Sequence, residues 1–249
     1  MMQIPPALIL VSLAACVSLS LADPEPKEPT LKETKAHFEK ADQALNAVWA
    51  EAKKVLPASE FNSLKEDQRA WIEHRDYLAL SPMFSNCPHD EKEARQSPQY
   101  FESAAGLMEE RTEWLKARIR KDDSESLTGE WGDSCGGCIE VVEKDGKLHF
   151  LIQVVRGPTS HLGALAGVAA WNTRIGWFSD KGRDPGKPEE TNLAFVQRGR
   201  ELEVIGANTG FYHGMRAYFD GKYIKVKPLD QKTQDKVLKA AKTGEVPEE

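Results

Sequence analysis

Apolar residues recur at helical spacing in the first half of the chain and alternate with polar ones in the second. Between Leu31 and Leu56, Phe38, Ala41, Leu45, Val48, Ala52 and Val55 lie on one face of a helix, with charges elsewhere and Pro57 as its stop. Ser59 is placed to cap a second helix that runs through LKEDQRAWIEHRD (64–76) to about Leu80. The segment SPMFSNCPHDEKEARQSP breaks the pattern with proline, and Ser97 followed by Pro98 opens a third helix. Its stripe is Phe101, Ala105, Met108, Thr112, Leu115 and Ile119, so residues 31–121 are expected to form a three-helix domain.

From residue 122 to 229 the period shortens. LTGEW, CIEVVEK, KLHFLIQVV, HLGALAGVAAW, RIGWFSD, TNLAFVQR, ELEVIG, GMRAYF and KYIKV read as strands, joined by hairpin-type turns at Asp145-Gly146, Asn172-Thr173, Gly199-Arg200 and Asp220-Gly221. Eight or nine short strands with tight links predict an antiparallel meander, closed as a small barrel or folded as a sandwich. The inward positions are Leu148, Phe150, Ile152, Val154, Leu193, Phe195, Leu202 and Val204. Gly163 and Gly167, inside an apolar run, mark a bend or a close approach of backbone. Residues 230–249 are expected to give a short final helix, Asp230 to Thr243, and an acidic tail. The expected class is therefore α+β, with a helical domain followed by a β-rich one.

One helical stripe is mixed. Leu64, Gln68, Trp71, Ile72 and Arg75 fall on one face of the second helix, and a guanidinium drawn into a buried face needs a hydrogen-bonding partner. Asp42 and Asn46, four apart on the first helix, are the expected partners of Gln68 and Arg75 in an antiparallel helix lock. The competing reading makes Trp71, Arg75 and Asp76 a recognition surface, and exposure decides between them.

The run Ala41–Trp49, ADQALNAVW, followed by Leu64–Asp76 resembles the N-terminal domain of the LprI-like lysozyme inhibitor family. The resemblance covers about a third of the chain. It implies a small exported helical domain and a protein partner, a lysozyme-type muramidase, bound without catalysis. Relatives usually carry a cysteine just after the Arg-Asp pair, whereas Tyr77-Leu78-Ala79-Leu80 stands here, and Cys87 has no evident disulfide partner.

The N-terminus fits export. Ala7 to Ala22 is the long apolar run of the chain; Ser20-Leu21-Ala22 suits cleavage after a signal peptide of residues 1–22, leaving 23–30 as a linker. Leu13-Ala14-Ala15-Cys16 also resembles a lipobox, so a lipid anchor at Cys16 is the alternative, and no second segment is apolar enough to span a bilayer. A net charge of -6 with no basic run longer than a pair argues against nucleic acid.

Candidate chemistry is sparse. Cys135-Gly136-Gly137-Cys138 reads as a local disulfide across a Gly-Gly turn; a thioredoxin-like dithiol would need a helix N-terminus after it, and a zinc knuckle a second ligand pair. No metal ligands, catalytic residues or cofactor are assigned. Carboxylates in a muramidase cleft are best occluded by hydrogen-bond donors on a rigid loop. The donor-rich candidates are Arg156, Thr159, Ser160 and His161 on one loop, Tyr212, His213 and Arg216 on another, and Arg75 on the helix. The expected function is an exported, non-catalytic binding protein of the cell envelope, with a structural or scaffolding envelope protein, or less readily a thiol-disulfide protein, as alternatives.

Overall fold

The computed structural model describes residues 28–120, 126–156, 161–181 and 189–247. The expected signal peptide and Cys16 lie outside them. Helix α1 (Leu31–Val55) opens on a capping box: Glu33 N–H donates to Thr30 Oγ1 at 3.3 Å, and Thr30 N–H donates to the Glu33 carboxylate at 2.7 Å. Helix α2 (Ala58–Ala79) starts directly after Pro57 with no side-chain cap, so Ser59 does not serve as one. Two one-turn helices, α3 (Pro82–Ser85) and α4 (Glu91–Ala94), follow, capped by Ser81 and Asp90. Helix α5 (Pro98–Ile119) is capped by Ser97, as its sequence predicts.

The helical region therefore holds three long helices and two short ones, and α6 (Gln231–Thr243) brings the helices among the described residues to six. The expectation of three helices missed α3 and α4 because the proline-broken segment has no period, although its Ser-Pro and Asp caps were readable. Helix α5 is the central one, packing along α1 and against α2. Leu45, Val48, Phe61, Leu64, Trp71, Met108 and Leu115 form the shared core. Met108 and Leu115 are wholly buried, each stabilising the bundle by roughly 1.5–3 kcal/mol.

The second half is a closed eight-stranded barrel in which every strand is antiparallel to its neighbours: β1 (Gly129–Gly132), β2 (Gly137–Lys144), β3 (Lys147–Arg156), β4 (His161–Trp171), β5 (Ile175–Ser179), β6 (Asn192–Arg198), β7 (Glu201–Ala207) and β8 (Gly221–Lys227). β8 pairs back onto β1. Positive φ at Asp145 and Gly146 makes the β2–β3 turn, and Thr173 and Gly199 supply the same left-handed backbone in the next two tight hairpins.

Two expectations fail at the β7–β8 connection. Asp220-Gly221 is no hairpin turn: Gly221 already belongs to β8, and Asp220 Oδ1 accepts the Gly206 N–H at 2.9 Å. GMRAYF (214–219) is not a strand. A turn closed by Ala217 N–H donating to the Gly214 carbonyl folds it back, and its Ala217 and Phe219 plug the barrel core.

All eight residues expected to point inward are buried in one cluster. Phe150 meets Phe178 edge-on at 5.2 Å and Phe195 at 4.8 Å between ring centroids, so the interior is packed solid. Gly163 marks a close approach: a Cβ there would lie 2.6 Å from that of His213. Outside, α5 lies against β8, and α6 covers β2 to β4 through Val237 and Ala240 on Val142, Leu151 and Ala166. The outer wall at β5 to β7 leaves Ile175, Trp177 and Ile205 exposed.

Candidate functional site

Arg156 sits on the inward parity of β3 (148, 150, 152, 154, 156), and its side chain ends inside the barrel mouth. It pairs with Asp133, donates to the Cys135 carbonyl at 2.8 Å and to Tyr223 Oη at 3.3 Å, and stacks over the Tyr218 ring at 4.7 Å. Asp133 Oδ1 in turn accepts the N–H groups of Cys135 and Gly137, each at 2.8 Å. Only glycine fits at 137, where a Cβ would stand 2.7 Å from both Arg156 Nη2 and Asp133 Oδ2. Arg156 is thus the internal clamp of the β1–β2 loop. As a partner-facing donor it is excluded, because its hydrogen bonds are spent on the barrel itself.

The two candidate loops do meet. His213 forms an isolated bridge with Gly163, and the Ala164 N–H donates to the Tyr212 carbonyl at 3.0 Å. Here too most donors are engaged internally: Tyr212 Oη donates to Asp180 at 2.7 Å, and the His213 ring lies between Thr209 Oγ1 and the Gly214 carbonyl, each at 2.9 Å. His161 is half-buried beside Gly214, and Arg216 is exposed. Thr159 and Ser160 lie outside the described residues. The same rim exposes Leu162, Phe211, Met215 and Tyr218, with Met215 at 94%.

The helix lock keeps Gln68 but none of its other expected members. Arg75 donates to its own neighbour Asp76 at 2.7 Å, while Asn46 donates to Asp42 at 2.9 Å within α1. Ile72 is exposed. The buried cation is Arg111 on α5, which pairs with Asp67, donates to Gln68 Oε1 at 2.9 Å, and lies over Trp71 and Trp114 at 5.4 and 4.4 Å from the ring centroids. So Gln68 and Trp71 belong to a lock between α2 and α5. Arg111 falls between Met108 and Leu115 on the third stripe, a signal that the sequence carried.

Between α1, α2, α5 and the barrel runs a cleft of about 880 Å³. Trp71, His74, Arg111 and Trp114 line its helical side, and Glu130, Ser134 and Gly136 to Cys138 its barrel side. Trp114 Nε1 donates to the Gly132 carbonyl at 3.0 Å and ties the two sides together. Burial, and then the nearby Arg156 cation, hold the His74 pKa below its ordinary value.

The expected Cys135–Cys138 disulfide is not formed; both thiols are free. Asp133 cages the tip that carries Cys135, whereas Cys138 is already paired in β2, on the outward parity opposite Gly132. Burial pushes Cys138 up to about 12 and raises Cys135 too, the opposite of an activated dithiol, and a β-hairpin takes the place of the helix such a dithiol needs. Cys87 is buried, donating to the Ala79 carbonyl at 3.0 Å. Among the described residues no group of three His, Cys, Asp or Glu side chains is placed to hold a metal, and no helix is long and apolar enough to cross a membrane.

No curated protein and no solved structure matches the chain. A family model does: residues 25–115, among which the described ones hold α1 to α4 and most of α5, match the family described as lysozyme inhibitor LprI.

Proposed function

We propose that the protein is an exported, non-catalytic binding protein of the cell envelope whose partner is a lysozyme-type muramidase. The family match over the helical region carries this reading. The surface best suited to docking is the barrel rim, where Leu162, Phe211, Met215 and Tyr218 are exposed apolar side chains and Arg216, next to Met215 in the chain, is exposed too. Such a cluster with a cationic donor at its edge has the make-up of a protein interface: apolar anchors supply burial, and the guanidinium seeks a carboxylate. A second reading, an envelope scaffold that binds another structural protein, is favoured by one separate observation, the uncovered wall of Ile175, Trp177 and Ile205.

A peptidoglycan-clearing assay with several lysozyme types, run beside binding measurements, separates the two. Inhibition by the mature protein, lost in Met215→Asp and Arg216→Glu but kept in Trp177→Asp, is the expected outcome. Absence of both inhibition and binding across the lysozyme types refutes the inhibitor reading.

A further inference from the structure

A second cavity, of about 420 Å³, lies where the end of α5 meets the β6–β7 hairpin. That volume falls within the range of roughly 300–1,000 Å³ usual for small-molecule sites. Two parts of the fold supply arginines to it. Arg118 and Arg120 come from the end of α5, and Arg198 and Arg200 from the hairpin, where left-handed Gly199 turns the chain and sets Arg198 opposite Glu201. Lys225 of β8 adds a fifth cation, and Glu60 and Glu201 are the carboxylates of the lining. At its edge, Glu203 pairs with Arg198, and Lys222 lies 3.9 Å from Glu201. Among the described residues six cations thus stand against three carboxylates, on a chain whose net charge is -6.

The three carboxylates are already engaged: Glu201 and Glu60 hold Arg118 between them, and Glu203 holds Arg198. Exposed Arg200 has no carboxylate partner among the described residues. Its Nη2 donates to the Ala117 carbonyl at 3.0 Å, which closes the end of α5, and a guanidinium has further N–H donors to offer. Capping one helix end needs one cation, whereas the excess here is three. That excess selects the ligand. A neutral sugar leaves it unanswered, and a single carboxylate offsets one charge only. A phosphate ester carries close to two negative charges on one centre, with acceptor oxygens that arginine forks match. We propose that this pocket binds a phosphate-bearing ligand, with Arg200 and Arg198 donating to its oxygens and the other cations supplying the field around it. The inference stands on this pocket alone and is independent of the muramidase reading, which uses the barrel rim.

The test is calorimetry at low salt on the full mature chain, without any muramidase present. The probes are inorganic pyrophosphate, glycerol 1-phosphate and, as a dianion without phosphate, malonate. Saturable binding of both phosphates is expected, falling as salt rises, with malonate weaker by about tenfold or more. Arg200→Gln should weaken phosphate binding by about tenfold with the circular dichroism spectrum unchanged, and Arg200→Lys, which keeps the charge without the fork, by less. Lys239→Gln removes the same charge from the exposed face of α6 and should change nothing. Cosedimentation with phosphatidylglycerol vesicles, against phosphatidylcholine, separates the sources: sedimentation that depends on Arg200 assigns the phosphate to a lipid headgroup, and its absence to a soluble ester. The proposal is overturned if neither phosphate binds at millimolar concentration, if malonate binds equally well, or if Lys239→Gln weakens binding as much as Arg200→Gln does. Because Met215→Asp lies at the rim, it should leave phosphate binding untouched, so either proposal can fail without the other.

Discussion

Replacing Arg156 with Met keeps most of the side-chain volume and removes the guanidinium from the barrel mouth. Asp133 then stays behind as a buried carboxylate with two backbone N–H groups and no cation, while the Cys135 carbonyl loses its donor. Breaking a buried pair by deleting one partner costs about 3–5 kcal/mol, a large part of the stability of an ordinary domain. The companion change Asp133→Asn preserves the oxygen that caps Cys135 and Gly137 but removes the charge. In the double variant no ion is left unpaired, so the loss should shrink well below the sum of the two singles. Urea titration followed by circular dichroism and by the summed tryptophan fluorescence, to which buried Trp131 contributes, measures all four corners of the cycle. If Arg156→Met costs under about 1 kcal/mol, or the two changes prove additive, the pair is not the clamp described here.

Acid should weaken the junction through His74. Its folded-state pKa lies below the unfolded value, so the unfolded chain takes up the proton first; the stability from keeping it neutral is fully present above the unfolded pKa near 6.5 and is lost as pH falls through the lower, folded value. His37, held between Glu109 and Glu102 at 3.0 and 3.2 Å, is raised, so its contribution is present below about 6.5 and fades as pH rises through its folded pKa. His74→Gln should therefore gain stability relative to wild type between pH 7.5 and 5, and His37→Gln should lose it, each read from melting temperature against pH; an unchanged difference for either variant contradicts its assignment. The thiols should also separate under iodoacetamide at pH 8: both are raised, but exposed Cys135 alkylates first, and Cys138 lags because it is half-buried in β2 and pushed up to about 12. Equal rates by mass spectrometry would show that the β2 environment is not what it is described to be.

The barrel was legible because period-two alternation along β3 and β6 maps directly onto inside and outside, and the turns at Asp145-Gly146 and Gly199 need left-handed backbone that the sequence announces. The same alternation already placed Arg156 inside, two residues past Val154; loop chemistry, read without that parity, made it a surface donor. Arg111 was missed for a related reason: it sits on the buried stripe of α5, yet the conspicuous polar groups of LKEDQRAWIEHRD drew the pairing toward Asp42 and Asn46. Spacing along one helix says which face a residue occupies, but it does not say which neighbouring helix that face meets. The path of 208–220 was illegible because its geometry comes from tertiary hydrogen bonds to β4 and not from any local period.

The place where α5 meets the barrel bears on how the two halves depend on each other. A meander joins each strand to the next one along the chain, except that its first and last strands, far apart in the sequence, must find one another to complete the ring. Here that seam is irregular, with a register shift between Glu130 and Trp131 on β1. It is across this seam that the helical region reaches, with Trp114 on Gly132 of β1 and Arg120 donating to the Lys225 carbonyl of β8. The helices thus act as a splint across the seam where the ring closes. Were that seam to part, β1 and β8 would each present an unguarded edge to any other extended chain nearby.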